Sequence, residues 1–303
     1  MPIFDLHADS LVKAFDNGYS LKDSPKLQVN LDKIICQKYF CQCFAVFVND
    51  NIEKPFEYYK KVVNYYKQYI NNRKINQISK DNTFRSNKVN AVLTVENAVV
   101  LGNDLSKIDD LQNDGVKMVT LVWNNENLLA YSHKDGEKGL KPFGYECIEM
   151  FNQKGIIVDL SHISKKGFND ACLFSKKPVV ASHSNSKSIC NHSRNLTDEN
   201  LKLLAKNGGV VGVNFYPSFI SLSNNNRLET LLLHIKQIVK VAGIDSVAIG
   251  SDFDGIDKTC IIDEPRKIQY FLEYLNKNGF LSSEIDKIAY KNALRVFNEN
   301  GIK

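Results

Sequence analysis

A chain of 303 residues, 43% hydrophobic and 24% charged, is long enough to bury one large core and has the balance of an ordinary soluble globular protein. Its net charge of +5 is mild, and its densest basic stretches are pairs (Lys60-Lys61, Lys165-Lys166, Lys176-Lys177), so no nucleic-acid partner is expected. No apolar run reaches the roughly 18 residues a membrane span needs, Met1-Pro2-Ile3-Phe4-Asp5 lacks the basic start and apolar stretch of a secretion signal, and seven cysteines without a CxxC pair fit a reducing, cytoplasmic setting.

Along the chain, short β-rich runs alternate with amphipathic stretches. The runs fall at 3–6, 41–48, 89–94, 117–122, 156–160, 179–181, 210–214 and 247–249, with Cys41 and Cys43 reading as buried thiols on one strand face. Helical periodicity falls at 56–70, 144–153, 198–206 and 228–241, and again at 264–278 and 284–298 after the last run. Strand–helix alternation predicts parallel βαβ units, and eight of them predict a closed (β/α)8, or TIM, barrel. No repeat or low-complexity linker divides the chain, so residues 1–303 read as one domain, and a homodimer is compatible with that reading.

Barrels of this class carry their chemistry at the C-terminal ends of the strands, where the loops share one mouth. His7-Ala8-Asp9 follows the first run and Glu96-Asn97 the third; Trp123-Asn124-Asn125 follows the fourth, Ser161-His162 the fifth and Ser182-His183 the sixth. Phe215-Tyr216 follows the seventh run, and Ser251-Asp252-Phe253-Asp254-Gly255 the eighth. Residues i and i+2 of a strand share a side, so His7 and Asp9 form one potential ligand pair. His162 and His183 form another, and Glu96 stands where its two oxygens could bridge both. Imidazole nitrogen and carboxylate oxygen suit zinc and related divalent ions, and two ions about 3.5–4 Å apart would polarise a carbonyl and acidify a shared water. Singly, each residue has a plainer use: Asp9 could cap the next helix, Arg194 could pair with Asp198, and Tyr216 could pack near Pro217. His133 reads as a loop residue and His234 as a helix residue, while His192, two residues before Arg194, stays open.

The motifs Asp5-Leu6-His7-Ala8-Asp9, Val95-Glu96, Gly139-Leu140-Lys141-Pro142-Phe143-Gly144, Val158-Asp159-Leu160-Ser161-His162 and Ser182-His183-Ser184 run in order along the chain. Ser193-Arg194-Asn195, Val213-Asn214-Phe215-Tyr216, Gly250-Ser251-Asp252-Phe253-Asp254-Gly255 and Leu294-Arg295-Val296-Phe297 continue the series. Together they resemble the membrane (renal) dipeptidase family of the metal-dependent amidohydrolase superfamily, in its soluble, bacterial form. The resemblance implies an amidohydrolase-like barrel that cuts small dipeptides, including ones with a C-terminal D-residue, through a metal-bridging hydroxide. It implies two Zn2+ ions, other divalent ions being admissible, held by His7, Asp9, Glu96, His162 and His183. Asp252 is the implied proton carrier; Arg194 and Tyr216 are the implied carboxylate binders. The chain departs from animal members at Trp123, where they place a histidine that stabilises the oxyanion, and Asn124 or Asn125 is the candidate replacement donor. It departs again at Asn97, where a glycine usually follows the bridging glutamate. These departures leave open another small amide, lactam or lactone as substrate, or a metal-binding barrel with little turnover.

Overall fold

The computed structural model describes residues 1–70, 74–223, 227–256 and 262–303. Among these residues nine strands run β1 (Phe4–Asp5), β2 (Cys41–Phe47), β3 (Ile75–Gln77), β4 (Val89–Glu96), β5 (Val116–Thr120), β6 (Ile157–Asp159), β7 (Val180–Ser184), β8 (Val210–Val213) and β9 (Val247–Ile249). All pairings between named strands are parallel, and the order β2-β1-β9-β8-β7-β6-β5-β4 closes on itself because β2 also pairs with β4 along seven residues. The eight strands read from the sequence are these eight. β3 is an addition beside the start of β4, pairing with Val89–Ala91 just below where β5 takes over at Leu93. Among the described residues, five short helices, Ser10–Asn17, Leu31–Cys36, Lys107–Asp114, Lys165–Phe174 and Pro217–Ile220, add to the sequence expectation.

Local signals account for the long helices. Pro142 opens Pro142–Lys154 at its first turn and Gly155, at φ 65°, closes it. Thr197 caps Asp198–Asn207 through a reciprocal bond with Asn200, and Gly208 ends that helix in the left-handed region. The final helix is interrupted rather than continuous: Ser282–Asp286 passes through a π-helical stretch, Lys287–Lys291, into Asn292–Glu299. There Asn292 turns inward and donates to the carbonyls of Ile244 and Val247, a bond that the wider turn accommodates.

Apolar residues fill two compartments. One lies between strands and surrounding helices. The other is the barrel interior, where Phe4, Leu6, Cys41, Cys43, Val92, Met118 and Ile157 meet Val180, Val210 and Ala248. Phe297 of the last helix seals its N-terminal end, its ring 4.9 Å from Phe4. This apolar floor leaves the opposite end, the C-terminal strand ends, as the open, polar one. Gly212 and Gly250 set how tightly the barrel closes there, because a Cβ on either would stand 2.0 or 1.8 Å from the Ser182 carbonyl oxygen. The backbone cannot yield as a flexible side chain would. Gly250→Ala is therefore expected to destabilise the fold by at least about 2 kcal/mol, read as a lower urea midpoint at unchanged slope; an unshifted midpoint would refute the close approach.

Candidate active site

Strand ends bring the predicted donors together. His7 and Asp9 leave β1, Glu96 is the last residue of β4, His162 follows β6, His183 lies within β7 and Asp252 follows β9; all six are buried. His7 Nε2 stands 3.2 Å from Asp9 Oδ2, 3.4 Å from Glu96 Oε2 and 3.9 Å from Asp252 Oδ1. The other oxygen of Glu96 faces the second pair: Oε1 is 3.0 Å from His162 Nε2 and 3.7 Å from His183 Nε2. His7, Glu96 and His183, and separately His7, Asp9 and Asp252, each offer three ligand atoms within 4.8 Å of one another.

A second layer fixes which nitrogen of each ring faces the centre. Asp159 accepts from Ser182 Oγ at 2.6 Å, so Ser182 Oγ is free to accept from His183 Nδ1 at 2.8 Å, leaving the Nε2 lone pair pointing inward. His162 Nδ1 lies 3.0 Å from Asn124 Oδ1 and is likewise a donor when Nε2 coordinates. On the far side Asp5 accepts from Ser251 N and Ser251 Oγ at 2.9 and 2.6 Å and from His7 N at 3.3 Å, holding β1 and β9 in step. Asp5 and Asp159 lie inside motifs visible in the sequence, each two residues before the backbone N–H it accepts, yet only the fold reveals what they hold.

The donor set fits divalent cations. Asp9 Oδ1 is buried and makes no hydrogen bond, and Asp9 does not cap the Ser10–Asn17 helix with its side chain. His162 and His183 bring two Nε2 atoms within 2.9 Å, a contact that two inward lone pairs make repulsive unless a cation lies between them. Protons register the same crowding. Burial, reinforced by Asp9, pushes Glu96 up to about 7, and burial pushes Asp252 up to about 6. Burial opposes charge on His7, but Asp9 and Glu96 outweigh it and hold its pKa well above the imidazole value. His162 and His183 are pushed well below it, first by burial.

Arg194 lies in the same cleft and is 3% exposed. It makes no ion pair with Asp198, which instead accepts from Ser188 and Gln237. Its terminal nitrogens donate to the His183 carbonyl at 3.1 Å and Ser184 Oγ at 3.4 Å, Phe219 packs 5.3 Å away, and Nε has no partner. Tyr216 lines the cleft with its ring edge-on to Phe219. Asn214, unremarked as a single residue in the sequence, donates to Asp252 Oδ2 at 2.9 Å. Asp254 instead anchors a loop, accepting from Lys13, Ser10, Gln28 N and Val29 N.

Along the opposite wall Trp123 packs edge-on to Phe47 at 4.8 Å, and its indole makes no hydrogen bond among the described residues. Asn125 turns to Asp50 at 2.9 Å, away from the donor cluster. Asn97 adopts φ 80° where a glycine was expected; its side chain repays the strain by donating to Val48 O and Asp50 and accepting from Asn127. His133 lies on a loop, as the sequence reading has it, and that loop lines the cleft, with the His133 ring between Asn124 and Ser193. His192 also lines the cleft, accepting from Arg194 N, whereas His234 is buried in its helix, bonded to Ser186 N and Ile220 O. The cleft encloses about 490 Å³. No helix among the described residues is long and apolar enough to cross a membrane.

A family model for membrane dipeptidases, peptidase family M19, matches residues 1–302. An uncharacterised dipeptidase of Schizosaccharomyces pombe is 34% identical over 224 residues, covering 71% of this chain and 54% of that protein. A second from the same organism is 33% identical over 220 residues with the same coverage. The chain thus spans about half the length of the curated relatives it matches. In fold it matches a metallo peptidase from Rhodobacter sphaeroides, liganded with a phosphinate mimic of the dipeptide L-Ala-D-Ala, at TM-score 0.91 and 21% identity over 99% of both chains. It also matches the probable dipeptidase PvdM from Pseudomonas aeruginosa at TM-score 0.86 and 22% identity, over 99% of this chain and 95% of that one.

Cations held by these ligands would have to displace protons from Glu96 and His7, whose pKa values are raised, but not from His162 and His183, whose values are lowered. Zinc affinity is therefore expected to fall as pH drops through about 7, where Glu96 takes up its proton, and to go on rising above 7 while His7 still holds one, by about tenfold per unit for each proton displaced. Calorimetric zinc titrations at pH 5.5 and 7.5 in buffers of different ionisation enthalpy read both the affinity and the protons released. Equal affinities with no proton release would contradict this account of the cluster.

Proposed function

The chain belongs to the membrane dipeptidase family, and from that premise we propose that it hydrolyses the amide bond of small dipeptides with the help of two divalent cations, zinc in the first instance. The observation that carries this reading is the company Arg194 keeps: a buried guanidinium with an unpartnered Nε opens onto the cleft that the His–carboxylate cluster also lines. A planar cationic fork without an acid of its own suits a substrate carboxylate.

His7, Asp9 and Glu96 would hold one cation, and Glu96, His162 and His183 the other. Bound there, the cations supply Lewis acidity, polarising a carbonyl and making water acidic enough to attack near neutral pH. Asp252 takes the proton of the attacking water and returns it to the amine nitrogen as the C–N bond breaks, first base and then acid. Two features suit it to that exchange: burial holds its pKa up to about 6, and Asn214 Nδ2 steadies one carboxylate oxygen. Arg194 receives the C-terminal carboxylate, and Tyr216 flanks the same end of the cleft. Trp123 and Phe47 offer the apolar wall on the other side. The R. sphaeroides neighbour's ligand mimics a dipeptide ending in D-alanine, which makes L,D-dipeptides the natural companions of L,L-dipeptides in a substrate panel.

On that panel the zinc-loaded protein is expected to release free amino acids, with two zinc ions per chain by elemental analysis. Asp252→Asn is expected to lower kcat by about 10² to 10⁴-fold. Arg194→Met is expected to lower kcat/KM by about 100-fold for free dipeptides and to leave the already slow cleavage of C-terminally amidated dipeptides unchanged. No hydrolysis by the wild type, or undiminished turnover by Asp252→Asn, would refute the assignment.

A further inference from the structure

We propose that Asn124 donates a hydrogen bond to the oxygen of the scissile carbonyl as it gains negative charge, and that His133 is the positioning residue that turns the Asn124 amide toward it. The inference rests on the amide-hydrolase reading above and deepens it.

The argument starts from proton bookkeeping around one amide. Asn124 Oδ1 lies 3.0 Å from His162 Nδ1 and 3.1 Å from His133 Nε2. When His162 Nε2 serves as a ligand, its proton resides on Nδ1 and can only be donated, so the Asn124 atom facing it must be the carbonyl oxygen. That oxygen has two lone pairs, and His133 Nε2–H takes the second. His133 Nδ1 is then an acceptor, and Ser193 Oγ stands 2.8 Å away to donate to it. The tautomers along Ser193, His133, Asn124 and His162 are fixed in a single sequence.

With both lone pairs of the carbonyl engaged, the amide cannot flip without breaking two bonds. Its NH2 group is what remains. It has no hydrogen-bond partner among the described residues, and Asn124 lines the cleft beside His162. No neighbouring side chain on this loop does the same job. Asn125 is spent on Asp50, Asn127 on Leu121 O and Asn97, and the Trp123 ring is packed on Phe47. A preoriented neutral donor held by two imidazoles is the kind of group that stabilises charge developing on an oxygen without reorganising when that charge appears.

No proton is transferred in this contribution. As the water oxygen bonds to the carbonyl carbon, the C=O π pair moves onto oxygen, and Asn124 N–H shortens its bond to that oxygen. When the pair returns, the C–N bond breaks and the amine leaves with the proton carried by Asp252. His133 also ties this donor to the loop carrying Arg194, because Ser193 immediately precedes that arginine.

Four variants, each loaded with zinc, test the proposal by dipeptide kinetics, metal stoichiometry and affinity for a phosphinate dipeptide analogue. Asn124→Ala is expected to lower kcat by about 100-fold, to change KM by less than about threefold, and to weaken the phosphinate by a factor comparable with the loss of kcat. Asn124→Asp keeps both acceptor positions but removes the donor, and is expected to be impaired at least as much. His133→Phe fills the space without either bond and is expected to lower kcat by about tenfold or more. His133→Gln can donate to Asn124 and accept from Ser193, and is expected to restore most of that loss. All four are expected to bind wild-type amounts of zinc. The proposal is overturned by an Asn124→Ala variant within about threefold of wild-type kcat and phosphinate affinity. It is overturned equally if zinc is lost in step with activity, or if His133→Gln is as impaired as His133→Phe. A wild type that cleaves no dipeptide would sink the function reading alone, since phosphinate affinity still ranks the variants.

Discussion

Glu96 is the constraint around which the rest of the molecule is arranged. Its two oxygens face different imidazoles, Oε2 toward His7 and Oε1 toward His162 and His183, in a site where Asp9 and Asp252 are also buried. Bringing three acids into one low-dielectric pocket is unfavourable for their charged forms. Burial accordingly raises the pKa values of Glu96 and Asp252. Positive charge held by the His–carboxylate cluster would remove that conflict, so the architecture is best understood as a rigid cup suited to cations.

Rigidity comes from below and from the side. Beneath the cup the barrel interior is apolar and sealed by Phe297 against Phe4, which leaves the strand ends no room to relax inward. Beside it, two aspartate–serine clasps repeat one device at opposite points of the rim. Asp5 gathers Ser251 and the His7 amide, and Asp159 gathers Thr120, Ser161 and Ser182. Each clasp sits where the chain leaves a strand, and the residues it steadies adopt backbone conformations that side chains avoid: His162 at φ 69° and Asp252 at φ 62°. Left-handed geometry at non-glycine residues costs of order 1–3 kcal/mol each. The buried hydrogen bonds to the two aspartates are the interactions placed to offset it.

Much of this was legible in the sequence for one reason. Strand runs such as 41–48 and 210–214 are short, β-branched and bounded, and a parallel barrel exposes its strand ends in a fixed direction, so His7, Glu96, His162, His183 and Asp252 could be placed at one mouth from spacing alone. What escaped was whatever depends on a loop's path. His133 lies ten residues beyond Trp123 in a stretch without periodicity, and nothing in its neighbours' identities reveals that its backbone N–H bonds the His162 carbonyl. Asn214 and Asp159 sat inside recognised motifs, but a side chain's partner across the barrel is set by register, which a single strand does not encode. The π-helical stretch at Lys287–Lys291 escaped because one extra residue in a turn leaves the apolar periodicity of 284–298 nearly unchanged. Asn97 was noticed as a departure from glycine, yet its consequence depended on Asp50 and Asn127, which the fold alone brings within reach.

Arg194 shows how one residue can select a bond. Its guanidinium is anchored to the carbonyl oxygen of His183, the same residue whose imidazole faces Glu96. The guanidinium and the donor cluster are therefore linked through the backbone and side chain of a single residue, and separating them means breaking that hydrogen bond. Under the proposed chemistry, a substrate held by its carboxylate at Arg194 reaches the cluster with the nearest amide, not a later one. On that reading Arg194 selects the amide nearest the C-terminal carboxylate, and the length admitted on the amino side is set by the rest of the cleft.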